Sequence, residues 1–175
     1  MPEGNTPSTP GSNKMWYVIG GIVILALVGW FLMRGAGSLL GAASGVDVDR
    51  SLDGSTTYTD QEGNTATVGG TSMPENWPAD APQNFAGASI QYSGNSNPQT
   101  GTAGAAVVYT ANASAQAVVD YYKAQLTSGG WTIAGSVNTG GATVLSATKE
   151  GRTFGVYIVP TGSGSVTVTA GLELQ

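Results

Sequence analysis

Residues Met15 to Met33 read MWYVIGGIVILALVGWFLM, nineteen positions without a charge, bounded by Lys14 and Arg34. At 1.5 Å per residue, a helix of this length spans about 28 Å, close to the roughly 30 Å hydrocarbon core of a bilayer. In lipid every backbone N–H and C=O must pair within its own segment, so the run is expected to be helical throughout. Trp16 and Tyr17 at one end and Trp30 at the other suit the two headgroup belts. A soluble helix keeps one polar face, and this one has none. The segment therefore predicts a transmembrane helix over 15–34, with the lipid bilayer as its partner.

A cleaved signal peptide has a 7–15-residue apolar stretch and a small-residue cleavage site. This run is longer, follows a 14-residue polar tail and is closed by Arg34, so an uncleaved signal-anchor is the preferred reading. Ala42-Ala43-Ser44 would serve as the cleavage site in the alternative. With no cysteine in the chain, lipidation of a cysteine is excluded. Lys14 and the terminal amine stand against Arg34, so the positive-inside rule nearly balances. A long polar C-terminal part translocates largely regardless of charge. The expectation is a cell-membrane protein with its N-terminus cytoplasmic and its C-terminal domain extracytoplasmic.

The rest of the chain divides by composition. Residues 1–14 hold three prolines and no apolar run, and read as a disordered tail. Residues 35–45 form a Gly/Ala juxtamembrane linker; Gly37, Gly41 and Gly45 lie four apart, a helix-contact spacing, but beyond Arg34 a flexible linker is preferred. Residues 46–72 read as a separate acidic segment with a β-hairpin, Ser55–Thr59 and Asn64–Val68 flanking a turn at Asp60–Gly63. Two strands alone are marginal in water, so the hairpin should dock or stay mobile. Residues 73–87, punctuated by Pro74, Pro78 and Pro82, read as an extended connector with Trp77 and Phe85 as anchors.

Residues 88–175 read as one α+β domain. Strands are expected at Ala88–Tyr92, Ala105–Ala111, Trp131–Val137, Ala142–Lys149, Thr153–Pro160 and Ser165–Leu174. Alternation is clearest in the last two, where Phe154, Val156 and Ile158 oppose Tyr157 and Val159. Short links at Asn138–Gly141, Glu150-Gly151 and Gly162–Gly164 imply antiparallel neighbours. A helix is expected over Ala113–Ser128, with Asn112 as N-cap and Gly129-Gly130 as its stop. Ala115, Val118, Val119, Tyr122 and Leu126 form its apolar stripe. The expected order is ββαββββ, an antiparallel sheet with one helix packed on a face.

Residues that carry chemistry are scarce. The chain has no histidine and no cysteine, which removes the usual neutral-pH proton shuttle, thiol nucleophile and zinc ligands. Ser146-Ala147-Thr148-Lys149 matches an S-x-x-K pattern, but on a strand those side chains point to opposite faces. Asp47, Asp49, Asp53, Asp60, Glu62, Glu75 and Asp80 face a single Arg50, yet the register of a calcium loop fails at Ser51, Leu52 and Tyr58. A solvated acidic linker is preferred there. Lys149-Glu150-Gly151-Arg152 reads as a solvated hairpin tip rather than an anion site. Trp131, Tyr92, Tyr109 and Tyr157 read as strand packing rather than sugar stacking. Asn112-Ala113-Ser114 fits the N-glycosylation pattern, but capping accounts for Asn112 without it. Net charge −5 argues against a nucleic-acid partner. No catalytic, cofactor-binding or metal-binding residue and no cofactor is assigned.

Pro74-x-x-Trp77-Pro78-x-Asp80-x-Pro82, Gly87-Ala88, Val118-Val119-Asp120-Tyr121-Tyr122-Lys123, Leu126 and Gly130-Trp131 together resemble a family of uncharacterised bacterial single-pass membrane-anchored proteins. Ala147-Thr148-Lys149-x-x-Arg152-Thr153 fits as well, and the resemblance covers residues 46 to 175. It implies one N-terminal span and an extracytoplasmic domain opening on a WPxDxP motif. Gln83–Ala88 departs from the family's Tyr-Pro-Gly-Ala at that point. The resemblance carries no activity.

The functional expectation is a membrane-tethered, non-catalytic cell-envelope domain acting by protein or ligand binding. Two alternatives stay open. One is a structural subunit that self-associates or meets an envelope protein partner; the other is an envelope enzyme or accessory using carboxylates such as Asp80 or Asp120.

Overall fold

The computed structural model describes residues 46–174 apart from 60, 62, 64, 98–102 and 163. The expected tail, span and linker (1–14, 15–34 and 35–45) lie outside the described residues, among which no helix is long and apolar enough to cross a membrane. Nine strands, β1 (Asp47–Arg50), β2 (Thr56–Thr59), β3 (Thr65–Gly70), β4 (Ser89–Asn97), β5 (Ala103–Ala111), β6 (Thr132–Thr139), β7 (Ala142–Lys149), β8 (Arg152–Pro160) and β9 (Val166–Leu174), and one helix, α1 (Ala115–Ser128), make an α+β fold.

All nine strands belong to one antiparallel sheet, in the order β1-β2-β3-β4-β5-β9-β8-β7-β6. This corrects the expected ββαββββ sheet: three further strands precede it, and residues 46–72 are not a separate unit. Thr65 to Gly70 ladders onto Asn97 to Ser93, so the hairpin finds its partner on the edge of β4. The physical reason is that two strands leave a row of unpaired backbone groups, which β4 satisfies. β1 also forms inside the stretch expected to be a solvated acidic linker, pairing Asp47–Arg50 with Thr59–Thr56.

Alternation decides which face is covered. Val107, Ala170, Val156 and Leu145 stand in one cross-strand row, with Tyr109, Val168 and Ile158 in the next, and all are buried. α1 lies on that face against β6, β7 and β8, presenting Val118, Val119, Tyr122 and Leu126. Each large apolar side chain so buried contributes about 1.5–3 kcal/mol relative to exposure. Tyr109 and Tyr122, both 0% exposed, join hydroxyls across the interface at 2.8 Å, which gives the buried Tyr122 hydroxyl its partner.

The helix boundary differs from expectation at its start. Ser114, not Asn112, is the N-cap: its backbone is extended and its hydroxyl accepts from the Ala117 amide at 3.2 Å. Asn112 is exposed, two positions earlier, so capping does not account for it. The stop is as expected. Gly129 caps the helix, Gly130 takes φ +75°, and the Trp131 amide returns to the Leu126 carbonyl at 2.8 Å.

The connector 73–87 is a chain of turns rather than an extended strap, and it covers the sheet beside α1. Trp77 is buried, meets Phe154 edge-on and donates from Nε1 to the Pro82 carbonyl at 3.1 Å. Phe85 packs edge-on against Tyr121, and its amide donates to the Tyr109 hydroxyl. Both expected anchors therefore reach the core. From β6 towards β5 the covered face is roofed first by α1 and then by this connector. Over β2–β4 the roof ends.

Candidate functional site

Two polar arrangements stand out, and they differ in kind. The first is centred on Asp80. Glu150 and Gly151 carry positive φ values of 49° and 78°, a tight turn that sets Lys149 opposite Arg152 at the end of the β7–β8 ladder. Strand parity places both with Ala147 and Phe154 on the helix-bearing face. Lys149 Nζ donates to Asp80 Oδ2 at 2.6 Å and to the Gly129 carbonyl at 2.8 Å. Arg152 donates Nη1 to Oδ1 at 3.0 Å and Nη2 to Oδ2 at 2.7 Å, while its guanidinium lies 5.1 Å from the Trp131 ring centre. Trp131 Nε1 in turn donates to the Asp80 carbonyl at 2.8 Å.

This corrects the solvated-tip expectation for Lys149 and Arg152: their side chains are only 20% and 15% exposed and are bound to a carboxylate 69 and 72 residues away. Arg152, then Lys149, by hydrogen bonding, hold the Asp80 carboxyl well below the usual range. Both Asp80 oxygens are engaged by these cations. The arrangement is a clasp that joins the connector, the end of α1 and the β7–β8 turn. Asp120, the other carboxylate singled out from sequence, is exposed on α1 and accepts from Gln116 at 2.8 Å.

The second arrangement is a cleft of about 220 Å³ on the unroofed part of the same face. Its floor is one register row, Thr57, Thr67 and Asn95, the two threonine hydroxyls joined at 2.9 Å. Asn95 pairs with Ala105 and Ser93 with Val107, so floor and core share a face. One end is the β1–β2 turn, where Asp53 accepts from the Ser55 amide at 2.9 Å and its hydroxyl at 2.7 Å. The Ser55 amide, then its hydroxyl, hold the Asp53 carboxyl below its ordinary range. Ser72, Met73, Pro74 and Glu75 form the side wall.

Ser93 sits deepest. It is 6% exposed, lines the cleft, and its hydroxyl has no hydrogen-bond partner among the described residues. A β-bulge between Val68 and Gly70 brings Gly70 opposite Ser93, so close that a Cβ on Gly70 would lie 2.6 Å from Ser93 Oγ. A side chain at position 70 would oblige the Ser93 hydroxyl or the strand to shift. The sequence counted Asp53 and Glu75 among its acids and read Ser55, Thr57, Thr67 and Pro74 only as strand and connector residues; Ser93, Gly94 and Asn95 lay beyond the strand expected to end at Tyr92. The signal that could have found them is the density of Ser and Thr on β2 and β3 beside a bulge-forming Gly69-Gly70.

A family model described as START domain-like matches residues 90–169, somewhat under half of the chain. The match runs from β4 through α1 into β9 and takes in the floor residues Ser93 to Asn95, whereas the walls built from 51–75 lie outside it. No curated protein and no solved structure matches the chain.

Proposed function

We infer that this chain is a non-catalytic binding module held at the cell envelope, and that the β2–β4 cleft takes a small polar ligand. The observation that carries the reading is Ser93: a residue only 6% exposed whose hydroxyl has no protein partner among the described residues and opens onto a hydroxyl-lined cleft. Solvent reaches that hydroxyl through the cleft, and a bound polar molecule can take the water's place as its hydrogen-bond partner. Domains of the START-like description are typically ligand-binding, which favours the same reading. The tether in this proposal is the apolar run 15–34, in keeping with the resemblance to membrane-anchored bacterial proteins.

The test is an NMR titration of the ¹⁵N-labelled full chain in detergent micelles with a panel of small polar solutes. Binding at the cleft moves the amides of Ser93, Gly94 and Asn95, and Ser93→Val abolishes the response. Shifts confined to other surfaces, or none, would remove the cleft from consideration.

A further inference from the structure

Strand parity separates the charges of the first three strands. The row Asp49–Thr57–Thr67–Asn95 lies on the cleft face, and Asp47 follows two positions away on that same face. Arg50, the one base between residues 47 and 80, belongs to the alternate row with Thr56, Val68 and Gly94 and so projects to the other side. Asp53 and Glu75 stand in the cleft walls, with no basic residue in its lining. Lys149 and Arg152 are committed to Asp80. The potential over the cleft is therefore of one sign, and walls of protein concentrate such a field.

We propose that the cleft recognises a small organic cation bearing a primary ammonium group. The inference rests on the ligand-binding reading above and adds the chemical class. An ammonium brings three donors and no acceptor, which suits a lining of carboxylate, hydroxyl and amide oxygens. Ser93 Oγ, without a protein partner among the described residues and facing the cleft from a residue only 6% exposed, offers an acceptor at the base, while Asp53 and Glu75 supply charge at the walls. A divalent metal is a poorer fit, because no three carboxylates converge among the described residues. A bare pyranose is also a poorer fit, since the lining contains no aromatic ring on which to stack.

The experiment compares amines with their neutral counterparts on the full chain in micelles, read by NMR shifts and calorimetry at low salt. The pairs are 1,4-diaminobutane against 1,4-butanediol and glucosamine against glucose, with Ca²⁺ as a separate arm. The expected result is amine binding at Ser93 and Asn95 at least about tenfold tighter than the neutral partner, weakening as salt is raised. Glu75→Gln, which breaks no hydrogen bond among the described residues, should narrow that preference, and Asp53→Asn should narrow it further. If diol and glucose bind the cleft as tightly as the amines, the cation class is overturned while the ligand-binding reading stands. Response to Ca²⁺ alone also overturns the amine class. If none of the solutes moves the cleft amides, both proposals fall.

Discussion

Arg152 grips Asp80 through two parallel hydrogen bonds, one to each carboxylate oxygen, while lying over the ring of Trp131, which itself holds the Asp80 backbone. The same aspartate is thus fixed at both its side chain and its carbonyl. A fork-to-fork pair of this kind is directional, and it decides how the connector lies on the sheet.

Asp80→Asn is expected to lower stability by about 1–2 kcal/mol. The figure is taken below the 3–5 kcal/mol of a fully buried pair because the carboxylate is 35% exposed. Its folded-state pKa lies below the ordinary 3.8, so the stabilisation is complete above that value and is lost as pH falls below it. Thermal melts followed by circular dichroism from pH 7 to pH 2 check both points. The wild type should lose melting temperature below about pH 4, and the variant should lose less.

Tyr109→Phe leaves the Tyr122 hydroxyl buried without a partner and frees the Phe85 amide, at an expected cost of about 1–3 kcal/mol. The double variant with Tyr122→Phe should cost less than the two single variants summed, because neither hydroxyl then remains orphaned. Burial pushes the Tyr109 hydroxyl up to about 12. Since the neutral form is the folded one, stability is full below about pH 10 and falls between pH 10 and 12. Denaturant titrations of the three variants and an alkaline melt series test this.

Gly70→Ala should destabilise the β3–β4 ladder, since the added methyl meets Ser93 Oγ at 2.6 Å. The backbone there is not in the left-handed region, so the effect is one of contact alone. Adding Ser93→Ala removes the clashing atom, and Ser93 Cβ at 4.0 Å is an ordinary neighbour. The double variant should therefore melt above Gly70→Ala. Equal melting temperatures would show that the approach is not what restricts position 70.

The proposed orientation has a direct check. Protease added to intact spheroplasts should digest the chain beyond residue 46, while a tag at residues 1–14 stays protected. Full protection of the C-terminal domain would reverse the orientation.

Much of the sheet was legible in the sequence because β5, β8 and β9 alternate between apolar and small or polar residues, and Phe154, Val156 and Ile158 declare their face. The α1 stripe was legible for the same reason at a different period. The β2–β3 hairpin was legible too, but β1 and the docking of the hairpin on β4 were not, because Thr56-Thr57-Tyr58-Thr59 is half-buried on both faces and gives no parity to read. Parity alone set Lys149 on the core face with Ala147. What it could not supply was the remote carboxylate that makes a cation acceptable there. The cleft was hidden for a related reason: its floor, turn and wall come from four stretches whose meeting depends on the bulge at Gly69.

The strand order has a consequence for how the protein is made. β9, the last strand of the sheet in the chain, lies between β5 and β8, so it is the only described strand that joins the β1–β5 half to the β6–β8 half. A nascent chain that has emerged only as far as residue 165 holds two half-sheets with no ladder between them. Assembly of the full sheet must wait until β9 has been synthesised. A product truncated before β9 would leave the two half-sheets unjoined and their facing edges open to degradation.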